Sequence, residues 1–99
     1  DDHVTAKKVI QIFLDQLPGQ ISALKHYAAR SDTKAAEGLA HQIKGAAANV
    51  AAEAIRDKAV SLEQAIRAGH WEAVGLMLLQ LEDQAGQFRK VVENISWFQ

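Results

Sequence analysis

The sequence predicts an all-α fold: one domain spanning residues 1–99, built as an antiparallel up-down four-helix bundle. Three observations lead there. Apolar residues recur at helical spacing through four long segments, the breaks between those segments are short, and no period-2 stretch is long enough for a strand. Composition agrees, because a single proline and few glycines leave little material for hairpins, while Ala, Leu, Gln, Glu and Lys favour helix. Four amphipathic segments joined by short connections pack most economically as such a bundle.

The first segment runs from about Val4 to Ala29, with Thr5 as its expected N-cap. Ile10, Leu14, Leu17, Ile21, Leu24 and Ala28 line its inner face, and Phe13 flanks them. Pro18 removes one backbone donor and crowds the carbonyl of Leu14, yet the apolar stripe continues in phase across it. The expectation is one helix kinked at Pro18, or two nearly collinear ones. Ile12 projects away from the stripe. Ser31, Asp32 and Thr33 supply capping oxygens for a second helix, roughly Thr33 to Val50. A third, about Ala52 to Ala68, turns Ile55, Ala59, Leu62 and Ile66 inward, and Gly69 reads as its stop. The last, about His70 to Ile95, carries Val74, Met77, Leu78, Leu81, Ala85, Phe88, Val92 and Ile95 on its inner face, with Trp97 and Phe98 folding back or fraying beyond it.

Ninety-nine residues with 48% hydrophobic content suffice for one modest core. The absence of cysteine excludes a disulfide framework, a thiolate zinc site and a cysteine nucleophile. Eleven Lys and Arg against twelve Asp and Glu, a formal net charge of −1, argue against nucleic-acid binding. No apolar run approaches the roughly 18 residues of a membrane span, and no signal peptide is visible, so no direct membrane contact is expected. His3, His26, His41 and His70 are scattered without a ligand-pair spacing, so no metal site is expected.

One residue resists a packing explanation. Wound as a helix, Ala36, Leu39, Ile43, Ala47 and Val50 share a narrow stripe, and His41 points about 160° from its middle. Lys34, Glu37, Lys44, Gly45, Ala48 and Ala52 share its outward face. A glycine inside a helix costs about 1 kcal/mol relative to alanine, and Gly45 lies on the side where no core helix needs the room. The clearing therefore serves something that approaches from outside. Glu63 sits on the flank of the third helix, about 70° from the centre of its stripe, placed to lean across a helix–helix seam.

These residues resemble a histidine-containing phosphotransfer (HPt) domain, the module that relays phosphoryl groups in multistep two-component signalling. The resemblance rests on Ala40 through Val50, a His-x-x-Lys-Gly core followed by small residues. It extends through Leu62-Glu63 and Arg67-Ala68-Gly69, and upstream to the proline-bearing Phe13 to Pro18. Family members usually carry glycine ten residues after the histidine, where this chain has Ala51. Either the turn there takes another geometry or the helix runs a residue or two further.

The resemblance implies that His41 accepts a phosphoryl group on Nε2 from the aspartyl phosphate of a receiver domain and passes it to the aspartate of a response regulator. It makes Lys44 a cation for the phosphoryl oxygens and Glu63 the acceptor that fixes the imidazole tautomer. Gly45 and Ala48 become room for the partner's loops, with Gln42 and Ile12 at the rim of the docking surface. The domain would have no cofactor of its own, Mg²⁺ belonging to the partner receiver domain, and no kinase activity. A monomer in the cytoplasm is expected, either free-standing or as the C-terminal module of an inner-membrane hybrid sensor kinase, which a start without methionine favours. A dimerising kinase core fits poorly, since Gln42 follows the histidine where an acidic residue is usual. The alternative from another class is a helical interaction module that uses His41 for no chemistry.

Overall fold

The computed structural model of the chain describes residues 2–96 and 98. They form four α-helices: α1 (Asp2–Ala29), α2 (Thr33–Asn49), α3 (Glu53–Arg67) and α4 (Trp71–Glu93). Among the described residues the helices pack as a closed ring, each against two neighbours and none across the diagonal. The four-helix bundle is a rod of 44 × 20 × 19 Å. Across the α2/α3 seam His41 meets Glu63 and Glu37 meets Arg67; across the α1/α4 seam Leu14 meets Arg89 and Lys25 meets Glu82. In both seams residue numbers rise on one helix as they fall on the other, so each pair is antiparallel.

The core follows the predicted stripes closely. Leu17, Leu24, Ile43, Ile55, Leu62, Ile66, Val74 and Leu81 are its largest fully buried side chains. Phe13 and Phe88 stack edge to face, with ring centroids 5.8 Å apart, and tie α1 to α4. In α2 the buried line is Ala36, Ala40, Ile43 and Ala47, while Leu39 is only half-buried, so the expected stripe was rotated from the true one. Three of these four are alanines. Helix α2 therefore approaches its neighbours with almost no side-chain bulk between the backbones.

The ends of the elements correct several expectations. Helix α1 starts at Asp2, because nothing in His3-Val4 opposes helix, so Thr5 is an exposed residue inside it and not its N-cap. Asp32 caps α2 as expected, accepting the Ala35 N–H at 3.2 Å. Helix α4 stops at Glu93, two residues short, and His70 precedes it as the cap residue. Phe98 folds back to bury against Leu14 and Val92, while Trp97 lies outside the described residues.

All three connections close in the same way. After α1, Ser31 N–H bonds to Ala28 O and Asp32 N–H to Tyr27 O; after α2, Ala51 bonds to Ala48 and Ala52 to Ala47; after α3, Gly69 bonds to Ile66 and His70 to Ala65. That is the paired 5→2 and 6→1 closure of a helix C-terminus, which needs a left-handed residue at its turn. Ser31 (φ 51°), Ala51 (φ 55°) and Gly69 (φ 73°) fill that position. Neither expectation at Ala51 holds: helix α2 does not run on, and the turn takes no other geometry, because alanine adopts the left-handed conformation that glycine would take more cheaply. Ending the helix at Asn49 also turns Ala52 inward, so it is buried and not on the face of His41.

Helix α1 passes through Pro18 without interruption. Proline has no N–H, so the carbonyl of Leu14 loses its helical donor. Arg89 of α4 supplies the replacement, its Nη2 donating to Leu14 O at 2.9 Å.

Candidate functional site

His41 stands on the outer side of α2 with 68% of its side chain exposed. Measured from the true buried line of α2, the ring points about 130° away at 100° per residue, so it leans toward α3. That lean brings Nδ1 to 3.3 Å from Glu63 Oε2. Glu63 is the single buried charged side chain among the described residues.

Three cationic or potentially cationic groups surround that carboxylate. Lys44 Nζ lies 2.8 Å from Oε1, Arg67 Nη2 lies 3.8 Å from Oε2, and His41 shares Oε2. The Lys44 contact with Oε1 is at hydrogen-bond distance and is the largest single influence that lowers the Glu63 carboxyl. Burial pushes the Glu63 carboxyl up; the contacts with Lys44 and then His41 outweigh it, and the group ends below its ordinary value. Glu63 is therefore ionised at neutral pH and can only accept hydrogen bonds. The Nδ1 that faces it must carry the proton, and a neutral ring then presents an unprotonated Nε2 on the solvent side.

The surface around His41 is low. Gly38, Gly45 and Ala48 lie three residues before, four after and seven after it, all exposed on the same helical face. A Cβ built at Gly45 or Gly38 would meet nothing within 4 Å. The same holds for the other glycines, so open space alone does not single out Gly45; its position beside the imidazole does. Gly38 is an addition to the expected residues, and its i−3 spacing from His41 is the signal that marks it.

Of the residues expected at the site, the structure joins His41, Lys44 and Glu63 in one cluster and sets Gly45 and Ala48 beside it. Gln42 is exposed on α2 and Ile12 on α1, 56% exposed, and neither is bonded to the cluster. Arg67 and Glu37 are additions: Arg67 Nε donates to Glu37 Oε2 at 2.5 Å, which ties α3 to α2 one turn before His41. The i,i+4 spacing of Glu63 and Arg67 was visible in the sequence, but the partner on α2 was not.

The family model of the Hpt domain matches residues 8–91 of this chain, which takes in all of α2 and α3 and the His41–Glu63 pair between them. The chain belongs to the Hpt family. No curated protein and no solved structure matches it. Hpt domains are phosphotransfer intermediates in two-component phosphorelays and interact with receiver domains. Among the described residues of this Hpt domain, no group of three or more His, Cys, Asp or Glu could hold a metal ion. No described helix is long and apolar enough to cross a membrane.

Proposed function

We propose that His41 is the phosphoryl-accepting residue of this Hpt domain. Its donor is the aspartyl phosphate of a receiver domain, and its acceptor is the aspartate of a response regulator. In the forward step the Nε2 lone pair forms the N–P bond while the P–O bond to the aspartyl carboxylate breaks, and that carboxylate leaves. No proton has to leave Nε2 first, because Nδ1 carries it. Attack places positive charge on the ring, and the Glu63 carboxylate beside Nδ1 offsets it. Return to an aspartate reverses the bond changes.

The observation that carries this reading is the pairing of a largely exposed imidazole with a buried, ionised carboxylate on one ring nitrogen only. Lys44 is one turn away and is long enough to move from Glu63 to the phosphoryl oxygens as a mobile point charge. The receiver domain supplies the acidic pocket and Mg²⁺. Gly38, Gly45 and Ala48 let its loops approach to the roughly 3–3.5 Å that transfer needs, with Gln42 and Ile12 at the rim. The reading places the domain in the cytoplasm, where receiver domains act.

The test is to incubate the domain with a phosphorylated receiver domain and follow acid-labile, base-stable phosphate. Wild type is expected to take the label, and His41→Gln to remain folded and take none. Label on His41→Gln, or none on wild type with several receivers, would leave a helical interaction module as the better account.

A further inference from the structure

We infer that Arg67 is a positioning residue for the relay: anchored on Glu37, it holds the Glu63 carboxylate in the orientation that keeps the His41 proton on Nδ1. The inference rests on His41 as the phosphoryl acceptor, and it concerns what keeps that side chain ready.

The geometry of the carboxylate is the starting point. Its two oxygens are claimed from different sides, Oε1 by Lys44 at 2.8 Å, Oε2 by His41 at 3.3 Å and Arg67 at 3.8 Å. The His41 contact is long for a charge-assisted hydrogen bond, which is normally about 2.7–2.9 Å, so it is the one most easily lost when the carboxylate turns. Lys44, shorter and on a flexible stem, would draw the carboxylate toward itself if nothing opposed it. Arg67 is the opposing charge. It reaches Oε2 from one turn further along α3, and its planar guanidinium is kept in place by the bond from Nε to Glu37 at 2.5 Å.

The Arg67–Glu37 bond does a second thing. Glu37 lies one turn before His41 on α2, so the cross-link spans the α2/α3 seam immediately beside the imidazole. Losing either partner lets the seam relax at the point where Nδ1 must meet Oε2. A histidine released from such a bond shifts its proton toward Nε2, and a protonated Nε2 has no lone pair for attack.

The experiment pairs two readouts on wild type, Arg67→Gln, Glu37→Gln and the double variant. The first is the ¹⁵N shifts of the His41 ring with the imidazole neutral, which report where the proton sits. The second is the rate of label transfer from a phosphorylated receiver domain. Arg67 is 65% exposed in its side chain, so the variants are expected to fold. Arg67→Gln should lower the Nδ1–H fraction and slow transfer about threefold, in the range of exposed ion pairs. Glu37→Gln should move both readouts the same way by less, and the double variant should match Arg67→Gln. Unchanged ring shifts in Arg67→Gln overturn the inference. Slower transfer with unchanged shifts also overturns it, placing Arg67 on the docking surface instead. The ring shifts are read without any phosphoryl donor, so failure of this inference is distinct from failure of His41 to take the label.

Discussion

The α2/α3 and α1/α4 seams lie opposite each other in the ring and set similar cation–oxygen contacts to different ends. In the α2/α3 seam a carboxylate is buried between helices and surrounded by Lys44, Arg67 and His41. Burying a charge is unfavourable unless it is well paired, and a better-packed apolar residue would often serve stability as well. In the α1/α4 seam the partly buried cation–oxygen contact repairs a backbone fault, Arg89 covering the carbonyl that Pro18 strands. The remainder is apolar packing, an exposed Lys25–Glu82 pair, and a cleft of about 390 Å³ left open by small residues such as Ser22, Ala85 and Gly86. The difference teaches which contact belongs to the fold and which to the chemistry. On the proposed function, a charge kept where packing does not need it, next to an exposed imidazole, serves the imidazole.

Five variants would break or sharpen that contrast. The largest effect is expected from Arg89→Ala, which strands the Leu14 carbonyl in a partly buried site and should lower stability by about 2 kcal/mol. Denaturant unfolding measures the loss, and phosphoryl transfer should be unchanged once the variant is folded. Glu63→Ala should do the reverse. Lys44 and Arg67 can turn to water, so stability should change little, whereas transfer should slow about tenfold, equal to about 1.4 kcal/mol in barrier. If Arg89→Ala slowed transfer as much as Glu63→Ala, the division between the seams would fail.

The Glu63 carboxyl adds a pH signature to the same comparison. Its folded value lies below the ordinary 4.5, so its contribution to stability is fully present above about that pH and fades as pH falls through the lower folded value. The stability of wild type relative to Glu63→Gln, measured by thermal unfolding from pH 7 downward, should therefore be flat at first and then fall in acid. The smallest effect is expected at the connection that closes the α2/α3 seam. Ala51→Gly should relieve the left-handed alanine and raise stability by about 0.5–1 kcal/mol, leaving transfer unchanged. Its counterpart Gly69→Ala, at the same position of the next connection, should lower stability by a similar amount.

Much of this was legible in the residues alone. The inward positions of α3 and α4, the outward His41 and the stop at Gly69 all follow from local angles and from one residue's conformational freedom. The register of α2 departs from its apolar pattern, because Leu39 looks more like a core residue than Ala40 does. The helix instead settles on its alanines, since small residues let the backbones close in. Ala51 gave no local sign of a turn. Its left-handed turn is closed by backbone bonds to Ala48 and Ala47 and carries Ala52 into the core, a tertiary placement.

By itself the sequence determined four amphipathic helices, a single core and a histidine that cannot belong to that core, because those follow from the period of one helix. Only the tertiary structure decided which nitrogen of that histidine is held, that Arg67 and Glu37 stand behind the carboxylate holding it, and that Arg89 covers the fault left by Pro18. Those contacts join residues 22 to 75 positions apart. Their existence depends on how far apart and at what rotation two helices pack, a quantity that no single segment encodes.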